Sequence, residues 1–158
     1  MPMSTLYRVI RDKYRHEPLS VVGSRLFGGR WNPKGSSVLY ATSTPELGLV
    51  ETLAHAPAVR YEELPTYWVF SLEVPDDVRY YKREELPDYW QDETYERTQS
   101  WLKDWLAAPD RLGVAVPSVL VPLSYNILLH PAHALFEQIR VAGQEIQPVD
   151  RRLWRLPD

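Results

Sequence analysis

Short stretches of the chain are wholly apolar or alternate apolar and polar positions, as β-strands do. In residues 67–74 every second side chain is apolar and would line one half-buried face of a sheet. These patterns predict strands at residues 6–10, 38–41, 67–74, 114–122, 135–141 and 149–156. Because proline cannot donate to a strand ladder, the prolines of residues 114–122 predict a sheet edge or a bulge there.

Two longer stretches have the period of an α-helix. In residues 45–55, apolar side chains recur every three or four positions. This helix starts after Ser43, with a glutamate three residues later to complete a capping box, or after Thr44, with proline at the first helical position. A second helix is predicted at residues 93–107, where tryptophan and leucine recur with the same spacing.

The remaining segments lack a clear period. Residues 12–24 and 79–92 mix charged and polar side chains and are predicted to be surface connections. Interleaved strands and helices without a linker predict one α/β (α+β) domain over residues 1–158, with mixed, largely antiparallel sheets. A chain of 158 residues with 44% hydrophobic residues is long enough to bury a sizeable core.

Composition excludes some classes of function. The formal net charge is −3, from 18 basic and 21 acidic residues, which argues against direct nucleic-acid binding. The chain has no cysteine, which excludes disulfides, thiolate metal sites and a cysteine nucleophile and favours a cytoplasmic location. Neither a membrane span nor a secretory signal is predicted.

The densest candidate chemistry lies between Gly28 and Glu51. Gly28 and Gly29 lack a Cβ and allow a close approach of the backbone to another group. Arg30 follows them and offers a planar fork of donors that suits phosphate or carboxylate. Glu51 lies at the border of the apolar face of its helix, where a carboxylate is partly desolvated and needs a partner. The two side chains could converge on one ligand, or they could be an ordinary turn arginine and a surface glutamate.

Four motifs in order resemble the RES domain family. They are Gly-Arg-Trp-Asn-Pro around Arg30, Leu-Tyr-Ala around Tyr40, Leu-Val-Glu-Thr-Leu around Glu51, and Val-Pro-Leu-Ser-Tyr-Asn around Ser124. The resemblance covers nearly the whole chain, although His130 stands where the family is expected to have asparagine. It implies a toxin of a RES–Xre toxin–antitoxin pair, with a fold similar to ADP-ribosyltransferases and with NAD as its substrate.

The resemblance also implies roles for individual residues. Glu51 would stabilise the oxocarbenium-like cation that forms when the nicotinamide–ribose bond breaks. Forked arginine donors would bind the pyrophosphate, and a tyrosine would stack on nicotinamide or bond its carboxamide. The implied catalytic residues are Glu51, Arg30, Tyr40 and Ser124, and the implied NAD contacts are Arg8, Arg30, Tyr40 and Asn126. A helix-turn-helix antitoxin of the Xre family would mask the cleft, and homodimerisation is left open.

Several alternatives remain. The acceptor of ADP-ribose could be water, inorganic phosphate or a protein, and the last would make the chain a mono-ADP-ribosyltransferase. An RNA-cleaving toxin and a pure binding module are further hypotheses. A metal hydrolase would use Glu51 with His55, or His130 with His133, but neither pair has the H-E-x-x-H spacing, and no metal is expected. The spacing of a Rossmann phosphate loop is absent, which disfavours hydride transfer.

Overall fold

A seven-stranded sheet forms the centre of the protein in the computed structural model, which describes residues 1–155. Its strands are β1 (Met3–Arg11), β2 (Leu39–Thr42), β3 (Tyr67–Pro75), β4 (Val78–Tyr80), β5 (Gly113–Pro117), β6 (Tyr125–Leu129) and β7 (Arg140–Gln147). The α-helices described are α1 (Val22–Phe27), α2 (Pro45–His55), α3 (Thr98–Trp101) and α4 (Lys103–Ala107). Within residues 1–155, no helix has both the length and the apolar character needed to cross a membrane.

The strand order is β4-β5-β6-β2-β1-β3-β7. β4 and β5 run parallel, and every other neighbouring pair in this sheet is antiparallel. The prediction of a single α+β domain with a mixed, largely antiparallel sheet is therefore confirmed for its architecture. The order places β1, β2 and β6 side by side, so residues distant in sequence meet on neighbouring strands.

Both faces of the sheet are covered. The alternation predicted for β3 is only partly confirmed, because Trp68 is half-buried and Tyr67 and Val69 of the opposite face are buried. Phe70, Leu72 and Val74 are at most 1% exposed. They belong to a cluster of aliphatic and aromatic side chains on one face. On the other face, a tryptophan-rich cluster joins Trp31 and Trp105 to the middle of the sheet. Burial of both faces explains why β5 is a continuous apolar run.

Helix α2 begins as one of the two proposed caps predicts. Thr44 is the N-cap, and its side-chain oxygen accepts a hydrogen bond of 3.2 Å from the backbone N–H of Leu47. Ser43 instead accepts a bond of 3.0 Å from the backbone N–H of Tyr125, which ties the start of the helix to β6. The helix is thereby held against the strands that carry the site.

Two elements predicted in the second half of the chain are wrong in extent. β5 ends at Pro117 and lies between two other strands, so residues 114–122 form neither an edge nor a bulged strand. The proline is tolerated because it is the last residue of the strand. The helix predicted at residues 93–107 is two short helices that begin at Thr98 and are interrupted at Leu102 (φ −98°, ψ 17°). Leu102 is buried, so packing there overrides helical continuity.

Other elements were missed because their side chains give no periodic signal. α1 lies partly in the predicted connection of residues 12–24, and its Leu26 and Phe27 are exposed. β4 is a three-residue strand that overlaps the start of the predicted connection of residues 79–92. Residues 135–141 form mostly a 3-10 turn before the exposed edge strand β7 begins. Residues 149–156 contain another such turn, with residue 156 outside the described residues.

Candidate active site

A cleft of about 620 Å³ opens where β1, β2 and β6 meet α2 and the loop of residues 28–31. Because the three strands are neighbours, the side chains that they contribute are held on one rigid surface. The predicted site residues that line this cleft are Arg8 on β1, Arg30 in the loop, Tyr40 on β2, Glu51 on α2 and Asn126 on β6. A volume of this size lies within the range of about 300–1,000 Å³ that is usual for small-molecule sites.

Glu51 has one of its two carboxylate oxygens held by protein donors. Its Oε1 atom accepts a hydrogen bond of 2.8 Å from the Ser118 hydroxyl and another of 2.8 Å from the Asn126 side-chain amide. The side chain is 20% exposed, and Oε2 lies 3.7 Å from His55 Nδ1. Two donors on one oxygen fix the plane of the carboxylate and leave the lone pairs of Oε2 for a ligand.

The serine beside Glu51 is Ser118, and the expectation for Ser124 is corrected. Ser124 is not among the described residues that line the cleft. It ends the turn after β5, where its backbone carbonyl accepts a bond of 2.9 Å from the Ser118 backbone N–H. Ser118 is fully buried, and its oxygen also accepts bonds from the backbone N–H groups of Leu120 and Val121. The loop thus folds back so that its first serine, rather than its last, reaches Glu51.

Arg8 is a buried cation anchored by the backbone. Its Nε donates to the Pro18 carbonyl at 2.9 Å, and its Nη1 donates to the Tyr40 carbonyl at 2.8 Å. Burial lowers the pKa of Arg8 to about 10, so the guanidinium still carries its charge at neutral pH. Among the described residues no partner bonds Nη2, which is therefore free to donate to an anion in the cleft.

Arg30 is held by the segment that precedes α3. Its Nη1 donates to the backbone carbonyls of Trp90, at 3.1 Å, and Asp92, at 2.6 Å. The guanidinium also lies over the ring of Tyr95, 4.7 Å from its centre. Arg30 therefore positions one wall of the cleft and keeps only part of its donor fork for a ligand. Tyr95 lines the same wall, and the apolar period of the helix predicted at residues 93–107 does not mark it as a site residue.

The Tyr40 hydroxyl is bonded to its own loop. It donates to Asn32 Oδ1 at 2.5 Å, while the Asn32 amide donates to the carbonyls of Ser24, at 3.0 Å, and Ser36, at 2.9 Å. Those two carbonyls fix the orientation of the fully buried amide, so Tyr40 must be the donor. Burial raises the pKa of Tyr40, which keeps the phenol neutral. The surface that Tyr40 can offer to a ligand is its ring.

The two glycines at the start of the loop are required by this network. Gly28 has φ +68°, in the left-handed region that side chains rarely adopt. A Cβ on Gly29 would lie 2.8 Å from the Tyr40 hydroxyl and 3.0 Å from Asn32 Oδ1. The close approach expected at these glycines is therefore made to another part of the same chain.

The histidines weighed as metal ligands have other partners. His130 Nε2 donates to the Leu106 carbonyl at 2.8 Å, and its Nδ1 accepts from the Ala132 backbone N–H at 3.1 Å. His133 Nδ1 accepts from the Leu135 backbone N–H at 3.1 Å. Neither histidine is among the described residues that line the cleft, and both organise the backbone after β6. In the described part of the chain, no three His, Asp or Glu side chains are grouped as a metal site.

The family follows from comparison with known proteins. The sequence matches the RES domain over residues 5–154. The chain belongs to the RES domain family. Its membership confirms the resemblance that the motifs indicate, and the match includes every residue placed in the cleft.

Three known proteins are similar to this chain. "Toxin Res" of Yersinia enterocolitica is 31% identical over 134 residues, which are 84% of this chain and 87% of that protein. "Prs ADP-ribosylating toxin" of a Sphingobium species is 32% identical over 142 residues, which are 82% of this chain and 84% of that protein. The fold resembles a chain of the M. tuberculosis MbcT-MbcA toxin-antitoxin complex with a TM-score of 0.73, over 92% of this chain and 85% of that one, at 20% identity.

Proposed function

We propose that this RES protein is an NAD-consuming toxin of a toxin–antitoxin pair, which cleaves the nicotinamide–ribose bond in the cytoplasm. The observation that carries the proposal is the carboxylate of Glu51, oriented by two donors at 2.8 Å in a cleft that also contains Arg8 and Arg30. One oriented anion beside two cations matches a substrate that develops positive charge on ribose and carries a pyrophosphate. The names of the similar toxins support the same function.

The residues of the cleft would have different roles toward NAD, set by the chemistry of their side chains. The free donors of Arg8 and Arg30 would bind the pyrophosphate, and the ring of Tyr40 would contact the nicotinamide. Glu51 Oε2 would stabilise the oxocarbenium-like ribose as the bond to nicotinamide breaks and its electron pair moves to the leaving nitrogen. Ser118 and Asn126 would keep the carboxylate in place throughout, so no reorganisation would be needed as charge develops.

The test is NAD cleavage by a matched pair of variants of α2. Glu51→Gln keeps the size of the side chain but removes its charge, so nicotinamide release should fall at least about 100-fold. Glu46→Gln changes an exposed glutamate in the first turn of the same helix and should leave the rate unchanged. Full activity in a folded Glu51→Gln protein would contradict the proposal.

A second candidate function is mono-ADP-ribosylation of a protein, as the name of the Sphingobium relative suggests. Water, phosphate and a protein side chain would all attack the same ribose cation, so the products separate these functions. Mass spectrometry should detect ADP-ribose after hydrolysis, its phosphorylated form after phosphorolysis, and a modified protein after transfer. We favour hydrolysis over phosphorolysis, because the pyrophosphate of NAD repels an approaching phosphate anion.

The proposed partner is an antitoxin of the Xre family, which would mask the cleft. The family membership and the toxin–antitoxin complex of similar fold support a partner of this kind. Expression of the chain alone should arrest bacterial growth and deplete NAD, and co-expression with an Xre protein from an adjacent gene should restore both. Normal growth with abundant folded protein and unchanged NAD would refute the toxin hypothesis.

A further inference from the structure

Few groups in the cleft can take up a proton at neutral pH. The ionisable side chains that line it are Tyr7, Arg8, Arg30, Tyr40, Glu51, His55 and Tyr95. Arginine and tyrosine ordinarily keep their protons at neutral pH, so within the described lining only Glu51 and His55 are proton acceptors. Glu51 already accepts two hydrogen bonds and is the proposed counter-charge for the ribose cation. His55 has no part in the function proposed so far.

The neighbours of His55 determine which of its nitrogens is the base. His55 Nδ1 lies 2.7 Å from the backbone carbonyl of Glu51, one helical turn earlier. A carbonyl oxygen can only accept, so in the neutral ring Nδ1 carries the hydrogen and Nε2 carries the lone pair. No partner of Nε2 occurs among the described residues, and the side chain is 64% exposed, so water can reach it. The hydrogen bond at Nδ1 thus fixes the ring of His55, and the lone pair of Nε2 can accept a proton from water.

We propose that His55 is the general base for the hydrolytic reaction, an inference that rests on the proposed NAD cleavage. Water donates one proton to His55 Nε2 while its oxygen forms a bond to the anomeric carbon of the ribose. The bond from that carbon to the nicotinamide nitrogen breaks, and its electron pair neutralises the charged ring. The products are nicotinamide, ADP-ribose and one proton, which leaves through the imidazolium to solvent.

This role differs from that of Glu51 in its dependence on the nucleophile. Water becomes a good nucleophile only as it loses a proton, whereas phosphate at neutral pH is already an anion. Loss of the base should therefore reduce hydrolysis and spare phosphorolysis, while loss of Glu51 should reduce both. A histidine that only stabilises the end of α2 would leave the ratio of hydrolysis to phosphorolysis unchanged.

The experiment measures ADP-ribose and its phosphorylated form from NAD, with and without added phosphate. His55→Asn keeps a side-chain donor for the Glu51 carbonyl but has no base. Its kcat for hydrolysis should fall about 100-fold or more, with KM for NAD and any phosphate-dependent rate within about threefold of the wild type. His55→Gly should recover hydrolysis when imidazole is added, and His16→Asn, at an exposed histidine outside the described lining, serves as the unaffected control.

The outcomes separate this inference from the proposed function. Wild-type hydrolysis by His55→Asn, or equal loss of hydrolysis and phosphorolysis, would overturn the role of His55 while NAD cleavage stands. Absence of rescue of His55→Gly by imidazole, in a folded protein that has lost hydrolysis, would also count against it. A wild-type protein that leaves NAD intact would overturn the proposed function and this inference together.

Discussion

Replacement of Ser118 by alanine removes one oxygen that makes three hydrogen bonds. The hydroxyl donates to Glu51 Oε1 at 2.8 Å and accepts from the backbone N–H groups of Leu120, at 3.1 Å, and Val121, at 3.2 Å. Alanine keeps the backbone geometry and fills most of the space. The variant therefore tests the hydrogen bonds and not the packing.

The size of the effect follows from those bonds. A hydrogen bond to a charged group contributes about 1.5–3 kcal/mol, and each buried backbone N–H left without a partner costs about 1–3 kcal/mol. Because Leu120 is 46% exposed, water can replace part of the loss at its N–H. We expect the free energy of unfolding to fall by at least about 2.5 kcal/mol. Loss of the Glu51 bond alone should lower kcat for NAD cleavage about 10- to 150-fold.

Ser124→Ala is the matched control for this variant. Ser124 takes part in the described hydrogen bonds through its backbone, so its replacement should change stability by less than about 0.5 kcal/mol and leave kcat unchanged. Urea unfolding would measure stability, and nicotinamide release would measure kcat. If Ser124→Ala were inactive while Ser118→Ala remained fully active, the geometry around Glu51 would be wrong.

Three further substitutions test the loop and its anchors. Gly29→Ala should displace the Tyr40 hydroxyl, lower the free energy of unfolding by about 1–3 kcal/mol and raise KM for NAD; unchanged thermal unfolding would contradict this. Tyr40→Phe leaves Asn32 Oδ1 without its donor and should cost about 1–3 kcal/mol of stability, which chemical denaturation would detect or disprove. Arg30→Lys should weaken NAD binding by about 1–3 kcal/mol, whereas equal affinity by calorimetry in the Glu51→Gln background would place the pyrophosphate elsewhere.

Local patterns in the sequence drew attention to the segment between Gly28 and Glu51, and Arg30 and Glu51 both line the cleft. One short segment contains the glycine pair, Arg30 and the helix that begins after Thr44. The strand at residues 67–74 was equally clear, because Phe70, Leu72 and Val74 of one face are buried in the core. These features depend on neighbours along the chain, which a sequence displays directly.

The choice of serine could not be made in the same way. Ser118 follows Pro117 at the end of β5, and polar residues at strand ends are frequent site residues, but the apolar run continues to Pro122 and hides the boundary. Only the return of the loop, closed by the Ser118 N–H bond to the Ser124 carbonyl, decides which serine faces α2. Likewise, the pairing of β6 with β2 is a long-range contact that no local period records.

The positions of the groups around the carboxylate have a consequence for synthesis of the protein. Glu51 lies in the first third of the sequence, whereas Ser118 and Asn126 lie in the last third. β6 is also the strand that connects β2 to β5, so the two parts of the sheet cannot join before residues 125–129 leave the ribosome. A nascent or truncated chain that stops before Asn126 contains Arg30 and Glu51 but cannot assemble the oriented carboxylate. The oriented carboxylate can therefore form only after residue 126 has been synthesised.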